Sequence, residues 1–163
     1  MSYFRKSAKY FDKAWHQASS TTNNDKNFNS KPPELPDLYR ETFSRNISLA
    51  EPEVAAFLAY TLVRLQVHHS RITSLQADWK LLINSGIPEK NIMSYLYCLG
   101  ELQCLIARLF EFARGGEFIN EPLTWSEFES AYFNLDIDFD EIEDLEGFTK
   151  RALERGKGQG WKP

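Results

Sequence analysis

Three aspartates at alternate positions, Asp136, Asp138 and Asp140, are the chain's nearest approach to a metal-binding motif. A twelve-residue calcium loop would need glycine at its sixth position and a bidentate glutamate at its twelfth. Here those positions hold Glu141 and Gly147. The simpler reading is a helix start decorated with carboxylates, which the helix dipole favours. His68 and His69 are adjacent, so on a helix they diverge by about 100° and cannot share one ion. His68 falls on an apolar stripe and reads as a hydrogen-bonded core histidine, with no nucleophile placed beside it. There is no Glu-x-x-His pair of the di-iron bundle type. Cys98 and Cys104 sit six residues apart on one predicted helix. They lack the spacing of a zinc site and cannot bridge each other. Neither a glycine-rich phosphate loop nor a nucleophile elbow occurs. The expectation is a chain with no catalytic residues, no metal and no cofactor.

Charge is more informative. The net charge of −4 hides three regions: residues 1–116 carry 14 Lys/Arg and 11 Asp/Glu, 117–146 carry 11 Asp/Glu and no base, and 147–163 carry five bases and one acid. Such asymmetry speaks to partners rather than fold. Arg64 and Arg71, seven residues apart, share a helix face. With Arg40, Arg45, Lys80 and the tail lysines Lys157 and Lys162 they could offer a positive surface to phosphates or to an acidic protein. Equally, they could pair with the acidic segment of the same chain, each surface pair contributing about 0–1 kcal/mol.

The elements that must position these residues are helical. Leu58, Thr61, Leu65, His68, Ile72, Leu75, Trp79 and Leu82 step by three and four, the period of one helix face. Ser48 with Glu51 suggests a capping box, Pro52 a first turn and Gly86 a stop. After Pro88, the residues Ile92, Tyr95, Leu99, Leu102, Ile106 and Leu109 repeat the stepping, and Leu96, Leu105, Phe110 and Phe112 add a second apolar face. The predicted fold is all-α: a bundle built on a long antiparallel hairpin, about 51–85 and 88–114, with shorter flanking helices. The first rod is long enough to break near Ser70–Ser74. Gly100, inside the second, suggests a close approach or a kink.

Residues 1–17 form a predicted amphipathic helix carrying Phe4, Phe11 and Trp15, tethered by a polar, proline-containing linker over 18–36. It reads either as a basic helix for a membrane surface or a nucleic-acid backbone or, more simply, as a helix docking its Phe and Trp onto the bundle with its lysines in water. Residues 37–155 make the bundle domain, with short helices near 37–47 (capped by Asp37), 125–134 (a Thr124–Glu127 capping box) and 140–154. A strand near 135–139 is the one departure that alternation allows. Residues 156–163 form a flexible basic tail carrying Trp161. No apolar run nears the roughly 20 residues of a membrane span. The first residues interleave Arg5, Lys6, Lys9 and Lys13 with apolar ones, unlike a signal peptide. Two reduced cysteines fit a cytoplasmic setting.

A helix apolar on two faces is buried between neighbours or sits at an interface. The first functional reading is therefore a non-enzymatic helical interaction subunit of a larger assembly, touching other protein subunits through Phe4, Phe11, Trp15, Phe112 and Trp161. In size and all-helical build the chain is similar to the small subunits of multi-subunit CRISPR effector complexes, a resemblance of shape that no motif carries. That resemblance implies a ribonucleoprotein role in which Arg40, Arg45, Arg64, Arg71 and the tail meet nucleic-acid backbone without reading its sequence. A third reading is an acidic inhibitor covering a basic partner. The last is a small-molecule sensor or enzyme using His68, Tyr95 or Tyr97 in a bundle cavity.

Overall fold

The structure, a computed structural model, describes residues 2–20 and 27–156. Among them are seven helices and no strand: α1 (Tyr3–Ser19), α2 (Tyr39–Leu49), α3 (Pro52–Leu75), α4 (Trp79–Ile83), α5 (Pro88–Ala113), α6 (Trp125–Asn134) and α7 (Leu145–Gly156).

The apolar stripe predicted for residues 58–82 is a single buried surface carried by two helices rather than one rod. Thr61, Leu65, His68, Ile72, Leu75, Trp79 and Leu82 are all buried. The chain leaves helix at Gln76–Asp78, a few residues beyond the expected break. Thr73 and Ser74 turn their hydroxyls back onto the His69 and Arg71 carbonyls, which weakens a helix end. Asp78 then opens α4, its carbonyl accepting the Leu82 amide at 2.9 Å.

Contacts between α3 and α5 run in opposite order along the two helices. Tyr60 and Arg64 reach Glu101, Arg71 reaches Cys98, and the Arg71 guanidinium lies over Tyr95. The α3 start departs from the expected capping box. Glu51 is the N-cap without a side-chain bond, and the Ser48 hydroxyl donates instead to the Arg45 carbonyl. Pro52 and Pro88 occupy first-turn positions as expected. Likewise α2 is capped not by Asp37 but by Leu38 in a left-handed conformation (φ 61°).

The first helix is part of the core and packs against α5. Tyr3, Ser7, Tyr10, Phe11, Ala14, Trp15 and Ala18 are buried, at helical spacing, while Lys6, Lys9 and Lys13 stay exposed. Of the two readings of this helix, docking onto the bundle with its lysines in water holds, and Phe11 and Trp15 as partner-facing residues are corrected: they bury apolar surface of their own chain. Phe4 is half-buried against the same core. Part of the expected linker is docked as well. Phe28 stacks on Trp79, ring centroids 4.9 Å apart, and meets Tyr10 edge-on.

On the opposite side, α6 approaches α5 at Gly100. A Cβ there would lie 2.8 Å from Tyr132 Cε1 and 3.1 Å from Phe128 Cδ1. The Thr124–Glu127 capping box is present with both of its hydrogen bonds. The expected helix over 140–154 starts only at Leu145. Asp138 accepts the Asp140 amide at 2.9 Å in a local turn, and Asp144 takes a positive φ of 65° just before α7. The aspartates therefore sit in turns, not on a helix start.

Candidate functional site

The second helix is the anomaly of the fold: none of its residues is buried. Phe43 and Ile47 lean on the bundle, while Leu49 is 75% exposed. Between α2, the start of α3 and the end of α5 lies an open groove of about 500 Å³. Its walls are apolar: Phe43 and Leu49 from α2, Val54 and Leu58 from α3, Leu109 and Phe110 from α5. Phe110 is 61% exposed. Phe112, at the same end, packs edge-on against Phe118, which in turn meets Phe57. Among the described residues its polar lining consists of Thr42 and Asn46, and the Asn46 amide donates to the Thr42 carbonyl at 2.7 Å. Arg45 and Arg114 lie one helical turn from Leu49 and Phe110, at i,i+4 spacing, and both are exposed.

The groove follows from the sequence locally. Gly115 (φ 91°) ends α5 just after Phe110 and Phe112, so no further turn of that helix covers them. The Pro52 start of α3 and the extended Ala50 (φ −83°, ψ 156°) turn the chain sharply after α2. The predicted second apolar face of residues 96–112 is therefore divided: α6 and α1 cover its middle, and its end is left open.

The predicted basic residues are dispersed rather than gathered. Arg64 turns onto α5, where it pairs with Glu101 and approaches Cys98 Sγ at 3.7 Å. Glu101 also accepts the Tyr60 hydroxyl at 3.1 Å. Arg71 Nη1 donates to Cys98 Sγ at 2.8 Å. Both arginines are half-buried. Arg40 donates to Tyr39 on its own helix, Arg45 projects from α2, and Lys80 lies on α4. Lys157, Lys162 and Trp161 fall outside the described residues. The acidic segment is engaged within the chain: Arg108 grips Glu127 at 2.6 Å, Arg151 meets Asp144 at 2.6 Å, and Arg5 lies 3.6 Å from Asp136. Burial alone would raise the Glu127 carboxyl, but hydrogen bonds from Arg108 and Thr124 outweigh it and hold the group below its ordinary value.

His68 is buried as expected but not hydrogen-bonded as expected. Neither ring nitrogen has a partner among the described residues. Its ring lies edge-on to Tyr3 and Phe11, with centroids 6.0 and 5.7 Å away. Burial, with the Arg71, His69 and Arg64 charges adding to it, pushes its pKa down to about 3. A group that weakly basic is a poor proton acceptor at neutral pH. Cys104 is buried and its thiol is pushed up to about 12, mainly by burial. Cys98 is half-buried rather than a core residue.

Sequence reasoning singled out Phe112 and Phe110 but not the groove, whose other wall is α2. The available signal was a short helix with Phe43 and Leu49 spaced to reach one neighbour and nothing to cover them. No protein-family model matches this chain, and no curated protein or solved structure shows significant similarity to it.

Proposed function

We propose that this chain is a non-enzymatic interaction subunit of a larger assembly, and that it receives an amphipathic helix of a partner protein in the α2–α3–α5 groove. The observation that carries this is the groove itself, with Leu49 and Phe110 75% and 61% exposed at its mouth. Clustered apolar side chains facing solvent mark interaction surfaces. Burying each of these two completely contributes up to about 1.5–3 kcal/mol. A small-molecule site uses a few convergent polar groups to orient its ligand. Among the described residues, the polar side chains of this groove are Thr42 and Asn46. A greasy helix face, read at i, i+3 and i+4, needs no such groups. Acidic residues flanking that face would meet Arg45 and Arg114.

The ribonucleoprotein reading has weaker support, because Arg64 and Arg71 are half-buried and turn onto Glu101 and Cys98 of α5. The inhibitor reading is weakened by the pairing of Glu127, Asp136 and Asp144 within the chain.

The test is a native pull-down of the wild-type chain and of Leu49→Asp/Phe110→Asp, with and without nuclease. Both residues are exposed, so the variant keeps its helical circular dichroism. The proposal expects a protein partner that survives nuclease and is lost from the variant. A partner retained by the variant, or removed by nuclease, contradicts it.

A further inference from the structure

We propose that Asp12, His16 and Glu141 form a binding site for a divalent transition-metal ion of the zinc type, joining α1 to the turn segment ahead of α7. Asp12 and His16 stand one turn apart on α1, which brings their side chains together. His16 Nε2 lies 3.2 Å from Asp12 Oδ1. Glu141 arrives from the far end of the chain. One ligand atom from each of the three lies within 4.8 Å of the other two. An imidazole and two carboxylates are a donor set that zinc and neighbouring first-row ions accept. Calcium and magnesium take all-oxygen shells, so the histidine selects against them.

The separation of these donors is set by the fold and not by an ion. Ala8, Ile137 and Ile142 are buried beneath them, and Arg5 reaches Asp136 alongside. Beside Asp12 and Glu141 a cavity of about 290 Å³ opens, lined also by Asp136, Asp138, Lys9 and Lys13; His16 stands outside it, on the solvent side of Asp12. Asp136 is paired with Arg5 and Asp138 accepts the Asp140 amide, so the ligand set is Asp12, His16 and Glu141 alone. Asp12 is half-buried while His16 and Glu141 are exposed, so coordination positions stay open to water and the affinity is modest.

The site is independent of the groove and is tested on the intact chain. Zinc chloride is titrated calorimetrically into the wild type, His16→Ala, Glu141→Gln and Cys98→Ser, with magnesium chloride as the comparison ion. The proposal expects saturable one-to-one zinc binding and no magnesium binding. Affinity should fall at least tenfold in His16→Ala and Glu141→Gln, with Cys98→Ser unchanged. Both ligand positions are exposed, so the variants' circular dichroism stays that of the wild type. Zinc binding that persists in both ligand variants, binding lost in Cys98→Ser, or no saturable binding at millimolar zinc would each overturn it.

Discussion

Acid should weaken this fold through His68, and by a calculable amount. The imidazole is 1% exposed, has no hydrogen-bond partner among the described residues, and holds a proton only below about pH 3. In the unfolded chain its pKa returns to about 6.5. The folded value is depressed, so the contribution to stability is complete above about pH 6.5. It is lost as pH falls from there toward 3, because the unfolded state takes up a proton that the folded state refuses. The slope is about 1.4 kcal/mol per pH unit, which gives a loss of about 2 kcal/mol at pH 5 relative to pH 8. The carboxylates and His69 also titrate, so the effect is read as a difference between wild type and His68→Leu. Leucine keeps an apolar side chain at the site and removes the titrating group. Urea unfolding of both proteins at pH 8, 7, 6 and 5 gives the two stability curves. The wild type should lose about 2 kcal/mol more than His68→Leu over that range, whatever their offset at pH 8. Parallel curves would refute the claim that His68 is folded neutral and desolvated.

Three further substitutions probe how the elements are held. Arg64→Ala leaves Glu101, only 13% exposed, with the Tyr60 hydroxyl as its remaining partner. It should cost about 1–3 kcal/mol in urea unfolding, and no loss would show that the pair is solvent-screened. Gly100→Ala gains up to about 1 kcal/mol of helix propensity. It also drives a Cβ within 2.8 Å of the Tyr132 ring, which is buried and held by Thr149 at 2.9 Å. Overpacking of about 1–3 kcal/mol should win and lower the thermal midpoint, whereas a raised midpoint would contradict the close approach. Thr124→Ala removes the α6 capping box and should cost about 1 kcal/mol, measured the same way; an unchanged stability would mean the cap is redundant.

Where a residue's environment was set by its own helix, the sequence could be read directly. The three-and-four stepping of Leu58 through Leu82 marks a buried face, and Thr124 with Glu127 marks a helix start, because both depend on neighbours within a turn. What failed depended on distant packing. Nothing local distinguishes a Phe11 or Trp15 facing a partner from one facing α5, and only the folded chain shows that both are covered. Phe28 is the one aromatic residue in the polar stretch 18–36, and its place on Trp79 is set by a helix about fifty residues away. His68 was legible as buried, but its missing hydrogen bond reflects the rings of Tyr3 and Phe11 brought in by α1. The capping of α2 and α3 was misread because Ser48 and Asp37 had good cap chemistry, while the observed turns place Glu51 and Leu38 at those positions. The groove was half legible. The surplus apolar face of residues 96–112 predicts an uncovered surface, but which part of it stays open depends on where α1 and α6 dock.

Photocrosslinking tests the docking claim most directly. A benzophenone amino acid replaces Phe110 at the mouth of the groove in one protein, and in a second it replaces Phe133, which is 82% exposed on α6 and away from the groove. Irradiation in the native cell should join a single protein species to position 110 and none to position 133. Adducts from position 133 alone, or equally from both positions, would contradict the assignment of the α2–α3–α5 groove as the partner-binding surface.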